Sequence, residues 1–255
     1  MRQLMCSFFC LLFFFFLAAA SKGLYAETPP QDDSRNIALM TGKVIAAYGG
    51  KDVIEGIHSL YAKGKIEAFM RNDHGTYELY FKRGKKLRVV TTYGHSSEIR
   101  ILNGDRGYRS ADSLPPEEVF GPRFVSMVYQ YKHLNILHDL VHGEYRIRAA
   151  GRAVVRGGDA DVFRLSDREG AVMDVFVDTH TFFIVKVIAY FSAEHKQIDL
   201  SVEFSDFRKV GDSVFPFRMT NYAGGVKVAE TVIEKYSLNP DIADSLFVPS
   251  PVQSL

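Results

Sequence analysis

The stretch His138-Asp139-Leu140-Val141-His142 sets two imidazoles four residues apart. On a helix that spacing puts both on one face, the arrangement by which zinc metalloproteases grip their ion. Asp139 stands where the general base of such a site is a glutamate, and its shorter arm would hold a water differently. No third ligand follows at a recognisable distance. The pair also falls at the C-terminal end of its helix, where histidines meet free carbonyls. A structural role is therefore expected. Asp159-Ala160-Asp161, after Gly157-Gly158, is too short for a calcium loop and reads as a hairpin turn. Lys82-Arg83-Gly84-Lys85-Lys86 is a charge run read as a solvated turn, with a contact for anionic lipid heads or an acidic partner as the alternative. No GxSxG elbow, phosphate loop or dinucleotide fingerprint occurs. The pattern argues for no catalysis, no metal and no cofactor.

Two helical segments open the exported part. Ser34 can cap a helix with Ile37, Met40, Val44 and Ala47 on one face, and Gly49-Gly50 stops it. Val53, Ile54 and Ile57 suggest a second short turn. The period then changes to two. Over 60–70, Leu60, Ala62, Gly64, Ile66, Ala68 and Met70 fall on one side, with Lys63, Lys65 and Glu67 on the other. That alternation is a half-buried antiparallel strand. Tyr77, Leu79 and Phe81 repeat it after a turn, and Leu87, Val89 and Thr91 repeat it again. Shorter strands are expected at 96–102 and 107–109. Pro115-Pro116 breaks the series, and 123–141 reads as a helix with Phe124, Val128, Tyr131 and Leu134 on one face. Val125, Met127 and Ile136 make its other side apolar as well, so it calls for burial on two sides. From Glu144 to Tyr236 strands resume, separated by Gly- and Asp-containing turns, and 240–245 is read as one helical turn.

About ten to twelve strands in hairpin order build a sheet that curls, because strands twist. Beyond eight strands such a sheet leaves interior space unless something fills it. The two-faced helix is the obvious filler. The expected fold class is mainly β (α+β): an incompletely closed antiparallel β-barrel or curved half-barrel with a helical lid or plug on its concave face.

The first 26 residues bound where this happens. Arg2 precedes an apolar run over 8–20 too short to span a bilayer, and small residues close it at Ala20 and Ala26. This is the layout of a secretory signal peptide, with cleavage possible after either alanine. The expected organisation is a leader over 1–26 and one domain over 27–255, exported to the periplasm. Both cysteines, Cys6 and Cys10, lie in the leader, so the mature chain is left with no thiol or disulfide. Without Arg2 and Lys22 the chain keeps 29 basic against 30 acidic side chains. That balance offers no basic field for nucleic acid.

Four passages carry a family resemblance. They are Tyr48-Gly49-Gly50 through Ile57 to Gly64; the hairpin Asp174-Val-Phe-Val-Asp178-Thr-His-Thr181 returning through Ile184 to Val187; Phe204 to Pro216; and the ending Asn239-Pro-Asp-Ile-Ala-Asp-Ser-Leu-Phe247-Val-Pro249. In this order they resemble the periplasmic lipoprotein-carrier family, the LolA/LolB-like outer-membrane lipoprotein-sorting proteins. The resemblance implies an unclosed barrel with a helical lid and a carrier, not an enzyme, that binds lipid or lipoprotein acyl chains and moves them toward the outer membrane. It also implies transient inner- and outer-membrane partner proteins. The alternative is an envelope sensor or regulatory module of the same fold that docks a partner protein. A monomer is expected. Ile66, Ala68, Met70, Leu79, Phe81, Leu87 and Val89 are the expected cavity wall, and Phe124, Val128, Tyr131 and Leu134 the lid.

Overall fold

The alternation that begins at Ser59 is carried through a single thirteen-stranded antiparallel sheet in the computed structural model. The structure describes residues 34–112, 114–193 and 196–249. The leader with Cys6 and Cys10, its two cleavage positions and the Pro-rich stretch 27–33 lie outside the described residues. Helix α1 (Ser34–Ala47) and the short α2 (Lys51–Gly56) precede β1 (Ser59–Ala68), β2 (Asp73–Lys82) and β3 (Lys86–Tyr93). Then come β4 (Ser97–Asn103), β5 (Arg106–Ala111), β6 (Glu117–Val119) and the long helix α3 (Gly121–Val141). The second half holds β7 (Arg146–Val155), β8 (Gly158–Ser166), β9 (Val172–Asp178), β10 (Ile184–Ala193), β11 (Lys196–Val210), β12 (Ser213–Ala223) and β13 (Val226–Leu238).

Neighbours in sequence are neighbours in the sheet, with one exception that joins the halves: β1 pairs with β13. The edges are then β6 and β7, the two strands that α3 connects. One helix thus fills the stretch of chain where a further hairpin would have closed the barrel. Register carries the apolar face from strand to strand. Leu60 lies opposite Phe81 and Ala62 opposite Leu79, and these continue to Leu87 and Val89. At the β1–β13 seam Gly64 is obligatory, because a Cβ there would stand 2.1 Å from the Val232 carbonyl oxygen.

Helix α3 shows that the sheet curves. Its Phe124 and Met127 reach Gly107 of β5, and Tyr131 stacks on Phe81 of β2 with ring centres 5.3 Å apart. Its Tyr129 hydroxyl donates to the Tyr190 carbonyl of β10 at 2.7 Å, far along the strand order. The sheet must wrap around the helix to meet it from both directions. Two apolar clusters result, and α3 belongs to both, through Tyr129 and Ile136 on one side and Met127 and Tyr131 on the other. This is the burial on two sides that its sequence demanded.

Three local expectations need correction. The strand read over 60–70 ends at Ala68, and Phe69–Arg71 form a 3-10 turn before Asn72, which adopts a left-handed conformation. Met70 therefore stands 71% exposed on a hairpin tip and lines no wall. The helical turn read over 240–245 falls at Asp244–Phe247. The charge run at 82–86 is not a merely solvated face. Lys82 and Lys86 both hold Asp244 at 2.7 Å, and Arg83 donates to the Ile54 and Glu55 carbonyls at the end of α2.

The closing passage from Asn239 to Pro249 is structural too. Asn239 sits in the left-handed region, its Oδ1 accepts the His58 amide at 2.9 Å, and its Nδ2 donates to the Gly56 carbonyl at 2.8 Å. It pins the sheet's last strand to the junction between α2 and β1. Phe247, fully buried against Ile101 and Ile242, seals the face turned away from α3. Asn239→Ala is expected to cost about 2 kcal/mol, seen as a lower urea midpoint at unchanged slope. An unchanged midpoint would show that this tie is not needed.

Candidate functional site

Between α3 and the concave face of the sheet lies a void of about 140 Å³. The helix supplies Gln130, His133, Leu134 and Leu137, whose spacing places them on one stripe. The sheet supplies a cross-strand row, Val187 opposite Val202 and Val202 opposite Asn221, followed by Phe204 opposite Met219. Leu60, Leu79 and Tyr236 complete the wall toward the first half.

The structure distributes the predicted wall and lid residues unevenly about this void. Leu79 and Leu134 line it. Phe81, Leu87, Val89, Phe124, Val128, Tyr131 and Ile66 instead pack together as the core between α3 and the first half of the sheet. Ala68 is buried at the far end of β1. The void thus lies nearer the second half, whose strands were recognised in sequence but whose inward residues were not assigned. Its polar members, Gln130, His133 and Asn221, were also missed. The signal was present in α3, where Gln130 and His133 interrupt the stripe shared with Leu134 and Leu137.

Most polar tips around the void are spent inside the protein. The Tyr48 hydroxyl accepts the Ile184 amide at 3.0 Å, and the Tyr236 hydroxyl donates to the Pro216 carbonyl at 2.6 Å. His133 differs: its Nε2 has no solvent contact and no hydrogen-bond partner. Burial alone pushes its pKa down to about 4, which leaves the ring neutral at physiological pH. None of the described residues lining the void is Lys, Arg, Asp or Glu.

Helix α3 is fastened by polar contacts at its middle and its end. Lys132 pairs with Asp167, and with Glu169 at 3.1 Å. Glu169 also takes Lys85, on the β2–β3 hairpin, at 2.5 Å. Burial opposes the Lys132 charge, but the hydrogen bonds it donates to Asp167 and Glu169 outweigh it and hold the ammonium above its usual range. At the helix end the His138 and His142 rings stack 4.1 Å apart. Asp139 accepts from Asn135 at 2.6 Å and from the Tyr145 hydroxyl at 3.1 Å, and His142 Nδ1 meets the His138 carbonyl at 2.9 Å. Both Asp139 oxygens are thus engaged with structural partners, and burial raises its pKa.

Comparison with solved structures places the architecture. A DUF1329 family protein from Desulfovibrio piger is 12% identical, with 85% of this chain and 99% of that one covered at a TM-score of 0.56. A domain from Vibrio parahaemolyticus, described as an outer membrane lipoprotein-sorting protein, is 12% identical over 82% and 94% of the two chains at 0.51. A LolA superfamily protein from Nitrosomonas europaea is 14% identical over 80% and 96% at 0.51. The chain has the LolA-like fold. No protein-family model and no curated protein matches it in sequence.

Proposed function

We propose that the protein is an exported carrier that holds an acyl chain of a lipid or lipoprotein between α3 and the sheet and moves it through a bacterial envelope toward the outer membrane. The observation that carries this reading is the uncharged, mostly apolar void beneath a helix that crosses the concave face. The fold shared with a lipoprotein-sorting domain supports it, and so does the leader read over 1–26.

The size of the void sets the mechanism. At about 140 Å³ it is smaller than the pockets that hold drug-sized ligands, roughly 300–1,000 Å³. A long chain enters only if α3 moves. Burial of an acyl chain is worth about 0.8 kcal/mol per methylene, and an uncovered groove would be a sticky patch. Helix and cargo therefore compete for the same face, and apparent affinity falls with the fraction of protein whose helix is displaced. A carrier gains from that competition, because it must also release.

Native mass spectrometry of protein recovered from the envelope is expected to show bound acyl lipid. Delipidated protein is expected to take up a fluorescent acyl phospholipid and release it to unlabelled lipid. Absence of both, with one stoichiometric protein partner recovered instead, would overturn the carrier role in favour of a docking module.

A further inference from the structure

We infer that the open edge of β7 is a docking strand, which takes up an extended acidic segment of a partner protein as one more strand of the sheet. The segment adds to the rim and leaves the void untouched, so this role goes beyond the carrier reading and does not depend on it. Strand β7 pairs with β8 alone, and among the described residues no backbone hydrogen bond reaches its other side. It is 10 residues long and turns a row of amides and carbonyls to water. The opposite edge, β6, has only 3 residues and offers no such row.

The side chains decide what this edge accepts. Over Arg146–Val155 the strand carries three arginines and no acid. Ile147 packs inward beside Met40 and Val44 of α1, so Arg146 and Arg148 stand on the convex face, where both are exposed. Among the described residues the strand's one ion pair is that of Arg152 with Asp161, at 3.1 Å. A bulge between Ala149 and Gly151, whose φ is 116°, carries Arg152 to the concave side. Cations therefore flank the edge on both faces. From Gly151 to Val155 the register with β8 is unbroken, and Val154 is 69% exposed. Charges on an edge ordinarily discourage pairing. Here they have one sign, so they repel a second copy of β7 and admit an acidic strand. A segment with acids two residues apart meets Arg146 and Arg148, and an apolar residue further along covers Val154.

The test uses the full-length mature protein and a fluorescein-labelled peptide of about ten residues, in which aspartate alternates with threonine before a short valine-containing run. Its controls are the same peptide with lysine for aspartate, and two forms N-methylated at alternate amides, one in each register. The acidic peptide is expected to bind at least about tenfold more tightly than the lysine peptide. The N-methylated form whose blocked amides face β7 is expected to lose binding at least about tenfold, and the other to keep it. Hydrogen exchange should slow over 146–155 when the peptide binds. Arg146→Glu/Arg148→Glu is expected to prefer the lysine peptide, an inversion that an unfolded variant cannot show. Equal affinity for acidic and lysine peptides, full affinity of both N-methylated forms, or protection confined to other strands overturns the docking strand. So does an acidic peptide that fails to bind while phosphatidylglycerol vesicles bind through Arg146 and Arg148. None of these outcomes bears on acyl-lipid uptake, which native mass spectrometry reads separately.

Discussion

Lys132→Ala is expected to lower folding stability by about 3–5 kcal/mol, the cost of leaving a buried charge without its partner. The Lys132 and Asp167 side chains are only 10% and 9% exposed, so water cannot take over from the lost ammonium. Asp167 cannot swing away either, because its Oδ1 also accepts the Glu169 and Ala171 amides at 3.0 and 2.9 Å. The damage should spread beyond one pair. Lys132 sits at the middle of α3, and Glu169 links it to Lys85 on the β2–β3 hairpin, so the cluster clasps two distant turns of the sheet over the helix. Urea melts of Lys132→Ala, Lys132→Met and the double variant Lys132→Met/Asp167→Asn check the origin of the cost. The double variant removes both charges but keeps the turn's acceptor. It should recover at least about half of the loss, as expected when the cost is an unpaired charge rather than missing volume. A single-variant cost below about 1 kcal/mol would mean that the pair is effectively solvated.

How much of this was legible beforehand depended on the range of the interactions involved. Leu60, Ala62, Ile66, Leu79, Phe81, Leu87 and Val89 alternate strictly, and their common face follows from a period of two alone. The two-sided apolarity of 123–141 likewise announced a helix inside the fold. Strand β6 was invisible, since three residues after Pro115-Pro116 cannot show a period. Met70 was placed one step too far along β1, because hairpin geometry ended the strand at Ala68 while the alternation continued.

The long-range features carried no local signal. Nothing near Lys85 reveals that Glu169 lies 2.5 Å away, so the charge run was read as solvated instead of as a clasp. The position of the void toward β10–β13 depends on where α3 rests, and that is decided by Tyr129 reaching Tyr190 and by Lys132 reaching Asp167. A histidine in a helix is locally unremarkable. His133 acquires its character only when the curved sheet closes over it.

That character sets the acid response. The folded protein holds His133 at a pKa of about 4, whereas an unfolded chain titrates near 6.5. The folded-state value is the depressed one, so the unfolded chain takes up the proton first. The stability tied to the neutral ring is fully present above pH 6.5, is lost as pH falls from about 6.5 to about 4, and changes no further below that. Over this window the loss is about 3 kcal/mol for one group. His138, also lowered by burial and by the charges of Arg83 and His142, acts in the same direction. The groups that share the void with His133, among them Tyr77, Gln130, Asn221 and Tyr236, have no carboxylate among them to rescue the protonated ring. Urea midpoints followed from pH 8 to pH 4 should therefore fall more steeply in the wild type than in His133→Leu. Parallel curves would show that the folded protein does not hold the His133 ring below its ordinary value.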